Sequence, residues 1–239
     1  MNIHVLLKKE EIREAEMNHH KIAVVYDVLF ATTTIGACLE AGALSVRPVL
    51  HEQEARAYYE TIDPAVYEMA GESEGHLMEG FLMPTPSALS ECVQGKHVIL
   101  STTNGTVAIR RLAQAKDVYA ASLRNTPAVV ETILNQYEGE TIVVVCAGSA
   151  NQFNIEDFYG VGYFVSIMSE KVPEVVLSDS AIAAKLLYEQ YAQEATTILC
   201  SSRVGRAVVA EGYVDEIQFS SEKNCTAIVP RFVAGKLVV

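Results

Sequence analysis

Asp27 follows the apolar run Ile22-Ala23-Val24-Val25-Tyr26 and precedes three consecutive hydroxyls, Thr32, Thr33 and Thr34. A carboxylate at the end of a buried strand can ligate a hard cation or attack phosphorus, and α/β sheets bind ligands at the carboxyl ends of their strands. Capping of the following helix accounts for these residues equally well. A second run, Ser101-Thr102-Thr103-Asn104-Gly105-Thr106, follows His97-Val98-Ile99-Leu100. Small hydroxyl residues and a glycine between a strand and a helix expose N–H and OH donors to an anion, although an ordinary N-cap loop has the same composition. No Gly-Lys-Ser or Gly-Lys-Thr follows, so this is not a Walker loop. Glu156-Asp157 opens a third helix-like segment, where acidic residues suit the helix dipole whether or not they bind metal. Glu72 and Glu79 add carboxylates from a segment rich in Gly, Glu and Met, with solvated loop charge as the default reading. The six histidines have no metal-ligand spacing, and Cys146, at the end of an apolar run, reads as a small core residue.

These candidates sit on three repeats of one arrangement: an apolar strand, a polar or glycine-bearing loop, and an Ala- and Leu-rich helix. The strands are Ile22–Tyr26, His97–Leu100 and Thr141–Val145; the helices cover Ile35–Ala41, Val107–Ala115 and a segment running from Ile155 toward Met168. Gly42 suits the C-terminal cap of the first helix. Thr-Thr pairs follow the first two strands, which leaves open a distant duplication into two related halves beside simple convergence of β-loop-α units. Gly71 to Pro86 is expected to be irregular, and long structureless connections are often functional. Beyond it, Thr197-Ile198-Leu199 and Val214-Asp215-Glu216-Ile217 read as short strands around a helix from Val204 to Glu211. No linker interrupts the chain, so 1–239 is expected to form a single compact unit.

Half of the 239 residues are hydrophobic, enough for a sizeable core. No apolar run approaches a bilayer span, and the first residues lack the charged-then-apolar order of a signal peptide. Five scattered cysteines without a C-x-x-C pair argue against a disulfide framework or structural zinc and fit a reducing, cytoplasmic setting. A net charge of -12 without a basic cluster speaks against nucleic acid as a partner. An acidic protein can still bind an anionic substrate through N–H groups, a few cations or a divalent metal. No membrane partner is expected, and a homo-oligomer stays open.

Taken in order, these segments resemble the 2-phosphosulfolactate phosphatases, also called the ComB family. The resemblance rests on Asp27-Val28-Leu29 with Ala31-Thr32-Thr33-Thr34-Ile35, Gly71-Glu72 with Glu79-Gly80-Phe81, Thr102-Thr103-Asn104-Gly105-Thr106, Cys146-Ala147-Gly148, Glu156-Asp157-Phe158 and Val229-Pro230. It spans nearly the whole chain. What it implies is a three-layer α/β/α fold with a mixed sheet, dependence on Mg²⁺, and hydrolysis of 2-phospho-3-sulfolactate to 3-sulfolactate and phosphate. On that basis Asp27 is the expected catalytic carboxylate and metal ligand, with Thr33, Thr103 and Asn104 at the phosphate or at metal-bound water. Glu156 and Asp157 are expected at the cation, and Glu72 at or just outside it. Thr32, Thr34, Thr102, Gly105 and Thr106 are the remaining substrate-binding candidates, with Arg124 and Arg203 available to a sulfonate or carboxylate.

Two segments depart from the family pattern. Members usually read Asp-Val-Leu-Arg-Ala-Thr-Thr-Thr, and Phe30 takes the place of the arginine; members usually carry Gly-Asn-Ser-Pro where this chain has Met83-Pro84-Thr85-Pro86-Ser87. An arginine offers a bidentate fork to phosphate, sulfonate or carboxylate, and phenylalanine offers none. Two alternatives therefore stand beside the family activity: a phosphatase acting on a different small phosphoester, and a noncatalytic protein that binds small anions.

Overall fold

Runs of Val and Ile form the interior strands of the sheet, because side chains branched at Cβ pack well on a surface covered on both faces. In the computed structural model, which describes residues 1–239, β1 (Asn2–Leu6) and β2 (Lys21–Tyr26) lead to α1 (Ala31–Glu40), β3 (Ser45–Val49) and α2 (Glu52–Tyr59). Next come β4 (Tyr67–Ser73), β5 (His76–Leu77), α3 (Pro86–Ser90), β6 (His97–Ser101), α4 (Gly105–Arg111) and β7 (Asp117–Ala121). They are followed by α5 (Thr126–Gln136), β8 (Thr141–Cys146), α6 (Ile155–Lys171), β9 (Val176–Leu177) and α7 (Asp179–Gln190). Three short helices, α8 (Ala195–Ser201), α9 (Arg203–Ala210) and α10 (Val214–Ser221), precede a hairpin of β10 (Arg231–Val233) and β11 (Lys236–Val238).

The fold is α/β, with an eleven-stranded mixed sheet in the order β5-β4-β6-β3-β11-β10-β7-β2-β8-β1-β9. Two blocks are internally parallel: β4-β6-β3 and β7-β2-β8-β1-β9. The hairpin joins them through three antiparallel steps, so the blocks run in opposite directions. Its hold is slight: Arg231 is in register with Tyr119 and Leu237 with Val46, and the Ala120 N–H donates to the Pro230 carbonyl at 3.0 Å.

One core packs α5 to α8 against β1, β2 and β8, through residues such as Ile3, Val24, Val144, Phe164 and Leu199. A second encloses α1 and α4, whose Ile35, Leu39 and Ile109, with Leu112 just beyond α4, meet Val25 and Ala120 of one block and Val46 and Leu100 of the other. By touching both blocks, α1 and α4 bring the carboxyl ends of β2 and β6 together, although four strands separate them in the sheet.

The three expected strand-loop-helix modules are β2-α1, β6-α4 and β8-α6. Gly42, at φ +89°, takes the left-handed conformation that a C-terminal cap requires just past α1. Other expectations are corrected. Gly71 to Pro86 is not wholly irregular, because Gly71–Ser73 complete β4 and pair with β5 in a hairpin turned at Glu74 and Gly75, both at positive φ. The residues expected as strands at Thr197–Leu199 and Val214–Ile217 lie in α8 and α10. Their Ile198, Leu199 and Ile217 bury one helical face against the first core, and that packing overrides the β-propensity of the run. No helix is long and apolar enough to cross a membrane.

Candidate active site

Asp27 lies one residue beyond β2 and is buried. Thr32 closes the loop after it: its hydroxyl accepts from the Asp27 N–H at 3.0 Å and donates to the Asp27 carbonyl at 3.0 Å. Thr33 donates to the Val28 carbonyl at 2.9 Å, and Thr34 reaches across to the Pro84 carbonyl at 2.9 Å. All three hydroxyl protons are therefore committed to backbone oxygens, and Thr34 pins the Met83–Ser87 segment to α1. From the other side, Glu216 of α10 accepts the Ser87 hydroxyl and, at 3.3 Å, the Ser87 N–H. Phe30 occupies the residue before α1 and packs half-buried against the first core.

The β6-α4 junction is closed in the same manner. The Thr102 N–H donates to the Thr106 hydroxyl at 3.1 Å, and the Thr106 N–H donates to the Thr102 hydroxyl at 3.2 Å. Thr103 clamps Glu72, donating its N–H at 2.7 Å and its hydroxyl at 3.0 Å to the two carboxylate oxygens. Asn104 accepts from the Lys9 ammonium at 2.8 Å through Oδ1, which leaves its amide NH₂ free to point elsewhere. Gly105 backs onto Asp27 so closely that a Cβ there would lie 2.6 Å from Asp27 Oδ2 and 2.6 Å from the Ala31 methyl.

At the β8-α6 junction, Asp157 ties two loops together by accepting the Val28 N–H at 2.8 Å and the Gly148 N–H at 3.1 Å. Glu156 is different. Both of its carboxylate oxygens are buried without a hydrogen-bond partner. Arg203, at the start of α9, is held nearby by Ser149 and by Asn154 at 3.1 Å. Cys146 is fully buried, and burial pushes its thiol well above the ordinary range, consistent with a core residue.

The carboxylates of the three junctions share one electrostatic field. Burial, reinforced by the negative charges of Glu72 and Glu156, pushes Asp27 up to about 7, with the Gly105 N–H and Lys9 opposing. Burial also raises Asp157, with Asp27 and Glu156 adding to the effect. Burial raises Glu156 too, with the positive charge of Arg203 opposing. A site that buries several carboxylates and leaves both oxygens of one unpartnered fits a divalent cation, which would supply the missing partner and relieve the mutual repulsion. No three acidic, histidine or cysteine side chains converge at ligand distance. A hard cation held by one or two carboxylates with water completing its shell suits that arrangement.

The structure thus brings Asp27, Glu72, Thr103, Asn104, Gly105, Glu156 and Asp157 into one region, with Arg203 at its edge. Arg124 is engaged elsewhere: it lies 3.7 Å from the Phe219 ring centre and pairs with Glu222 and, at 3.3 Å, with Glu40. Lys9 is the cation that the sequence reading missed. In the run Lys8-Lys9-Glu10-Glu11 it looks like solvated charge, yet it is buried against Asn104.

The family profile described as 2-phosphosulpholactate phosphatase matches residues 6–235. A probable 2-phosphosulfolactate phosphatase of Carboxydothermus hydrogenoformans is 32% identical over 241 aligned residues, covering 100% of this chain and 97% of the relative. One of Symbiobacterium thermophilum is 34% identical, covering 95% of this chain and 98% of the relative. A third, of Clostridium acetobutylicum, is 29% identical over the full length of both.

Proposed function

Because the chain belongs to the 2-phosphosulfolactate phosphatase family, we propose that it hydrolyses the phosphate ester of 2-phospho-3-sulfolactate to 3-sulfolactate and phosphate with Mg²⁺ as cofactor. The observation that carries this reading is geometric: Asp27 is buried against Gly105 at the meeting point of two strand ends, in the same region as Glu156, whose two carboxylate oxygens are buried without a partner. The bound cation supplies charge neutralisation at the phosphoryl oxygens. Glu156 and Asp27 would hold it, with Glu72 kept nearby by Thr103.

The remaining work falls to side chains of this chain. From the end of β2 the Asp27 carboxylate can also take a proton from attacking water or return one to the departing alkoxide. Its ionised form is equally placed to attack phosphorus directly. Lys9 and the free amide of Asn104 offer fixed donors to phosphoryl oxygens, and buried donors aimed at developing charge need no reorganisation during the reaction. Arg203, anchored by Ser149 and Asn154, presents a cation to the sulfonate or carboxylate. Thr32, Thr33, Thr34, Thr102 and Thr106 act through the backbone, holding the two loops in register.

A second reading is favoured by Phe30, which packs apolar surface where the family usually has an arginine. It is a phosphatase whose preferred ester carries fewer negative charges. Phosphate release from 2-phospho-3-sulfolactate and from a panel of phosphomonoesters, each with Mg²⁺ and with chelator, separates the two. Turnover confined to phosphosulfolactate supports the first, and faster turnover of a monoanionic-tail ester supports the second. Binding without turnover of any ester overturns both.

A further inference from the structure

At the end of the sheet away from Asp27, a cleft of about 590 Å³ opens on the seam between the two parallel blocks. It is lined by Arg47 of β3, Arg110 of α4, Lys116, and Arg231 of the hairpin, with Asp117 and Glu54 as its only carboxylates. Asp117 is in register with Ile22, five residues before Asp27, which places the cleft roughly 16 Å from that carboxylate at ~3.3 Å per strand residue.

The charge balance there is unlike the rest of the molecule. Arg231 is matched by Asp117 at 2.6 Å and Arg110 by Glu54 at 2.6 Å. Lys116 pairs at 2.8 Å with Glu140, which lies outside the lining, and Arg47 has no carboxylate partner at all. Arg47 instead lies over the Tyr58 ring, 4.3 Å from its centre. The hairpin tip closes one wall, with Gly235 so near that a Cβ there would sit 3.0 Å from Arg47 Nη1. Four cations thus face two carboxylates in a concave site on a chain whose net charge is -12. A cleft with an excess of positive charge concentrates anions, and this one has a volume typical of small-molecule sites. The slight hydrogen-bonding hold of the hairpin also makes the seam a place where a bridging anion would add cohesion between the blocks.

We propose that this cleft is a second binding site, separate from the catalytic carboxylates, for a small oxyanion-bearing ligand contacted by Arg47 and Lys116. The proposal is independent of the phosphatase reading. Isothermal titration with inorganic sulfate tests it on the full chain. In Lys9→Met, a change confined to the catalytic end, a saturable sulfate component is expected to persist. In Arg47→Gln and in Lys116→Gln that component should weaken about tenfold or more, as losing one charge-assisted contact implies, with thermal midpoints near wild type. Should Arg47→Gln fail to fold, Lys116→Gln carries the test. Phosphonoacetate binding tighter than sulfate assigns the site to an organic dianion, and equal binding assigns it to an inorganic oxyanion. Absence of saturable binding in Lys9→Met, or a component unchanged in both cleft variants, overturns the proposal.

Discussion

Gly105 and Asp27 are in contact across the second core: a methyl group at position 105 would sit 2.6 Å from Asp27 Oδ2. The two residues belong to different parallel blocks, so the approach of one backbone to one carboxylate records how tightly α1 and α4 draw the blocks together. Gly105→Ala should therefore act on the site and on the fold at once. Overpacking typically costs about 1–3 kcal/mol, and displacement of Asp27 should remove most turnover. A lowered thermal midpoint together with a kcat loss larger than the unfolded fraction explains is the expected pair of measurements.

The raised Asp27 carboxyl makes a statement about pH. Its folded value, about 7, lies above the ordinary 3.8, so its contribution to stability is full below about 4 and is lost as pH rises through 7. Metal-free protein should lose midpoint between pH 6 and pH 8, and Asp27→Asn should flatten that slope while abolishing turnover. Added Mg²⁺ should raise the wild-type midpoint more at pH 8 than at pH 6. Calorimetry of both proteins with chelator and with Mg²⁺ checks this. An identical pH slope in Asp27→Asn would remove Asp27 as its source.

Glu156 and Asp157 are neighbours with different duties. Asp157 satisfies two backbone N–H groups, and an amide in its place can accept only one of them well, so Asp157→Asn should cost about 1–3 kcal/mol of stability. Glu156 satisfies nothing in the chain. Glu156→Gln should keep or raise the thermal midpoint and raise the Mg²⁺ concentration needed for half-maximal activity. Metal titrations alike in wild type and Glu156→Gln would leave Glu156 without a role at the cation.

Lys9→Met keeps the aliphatic stem and removes the charge beside Asn104. A contact to a phosphoryl oxygen made in both ground and transition states should appear as a raised KM, and one made only in the transition state as a lowered kcat. A loss of about one to two powers of ten in kcat/KM is expected for a buried charged donor. Unchanged kinetics would make Lys9 a purely structural partner of Asn104.

Phe30→Arg tests the departure from the family pattern. Because Phe30 packs half-buried against the first core, an arginine must turn its head toward the site or lose solvation without a partner. If the site accepts it, kcat/KM on phosphosulfolactate should rise about tenfold or more relative to an ester lacking sulfonate and carboxylate. A lower midpoint with no gain would assign this position to packing.

Much of the site was legible in the residues themselves. Asp27, Thr103 and Asn104 stand just after apolar runs of period and length typical of strands, Glu156 opens the helix that follows a third, and loops at strand ends are where α/β folds carry chemistry. What one chain could not disclose was how the junctions assemble. The threonines look like free hydroxyls in sequence and prove to be loop staples, because only the fold reveals the carbonyls of Val28 and Pro84 beside them. Lys9 was hidden for the opposite reason: a lysine in a charged run is solvated by default, and its burial depends on β6 and α4, about a hundred residues away. The helices at Thr197–Leu199 and Val214–Ile217 escaped detection because short β-branched runs leave helix and strand undecided until packing chooses.

The antiparallel hairpin that spans the seam lies C-terminal to every strand it connects. During synthesis, β3 and β7 therefore emerge and pair with their own blocks while the edges that face each other have no partner. An unpaired strand edge is a template for another chain. Until Arg231 to Val238 leave the ribosome, the nascent protein carries two such edges, and Lys116, Asp117 and Arg47 on or beside them supply the charges that discourage a neighbouring chain from docking there.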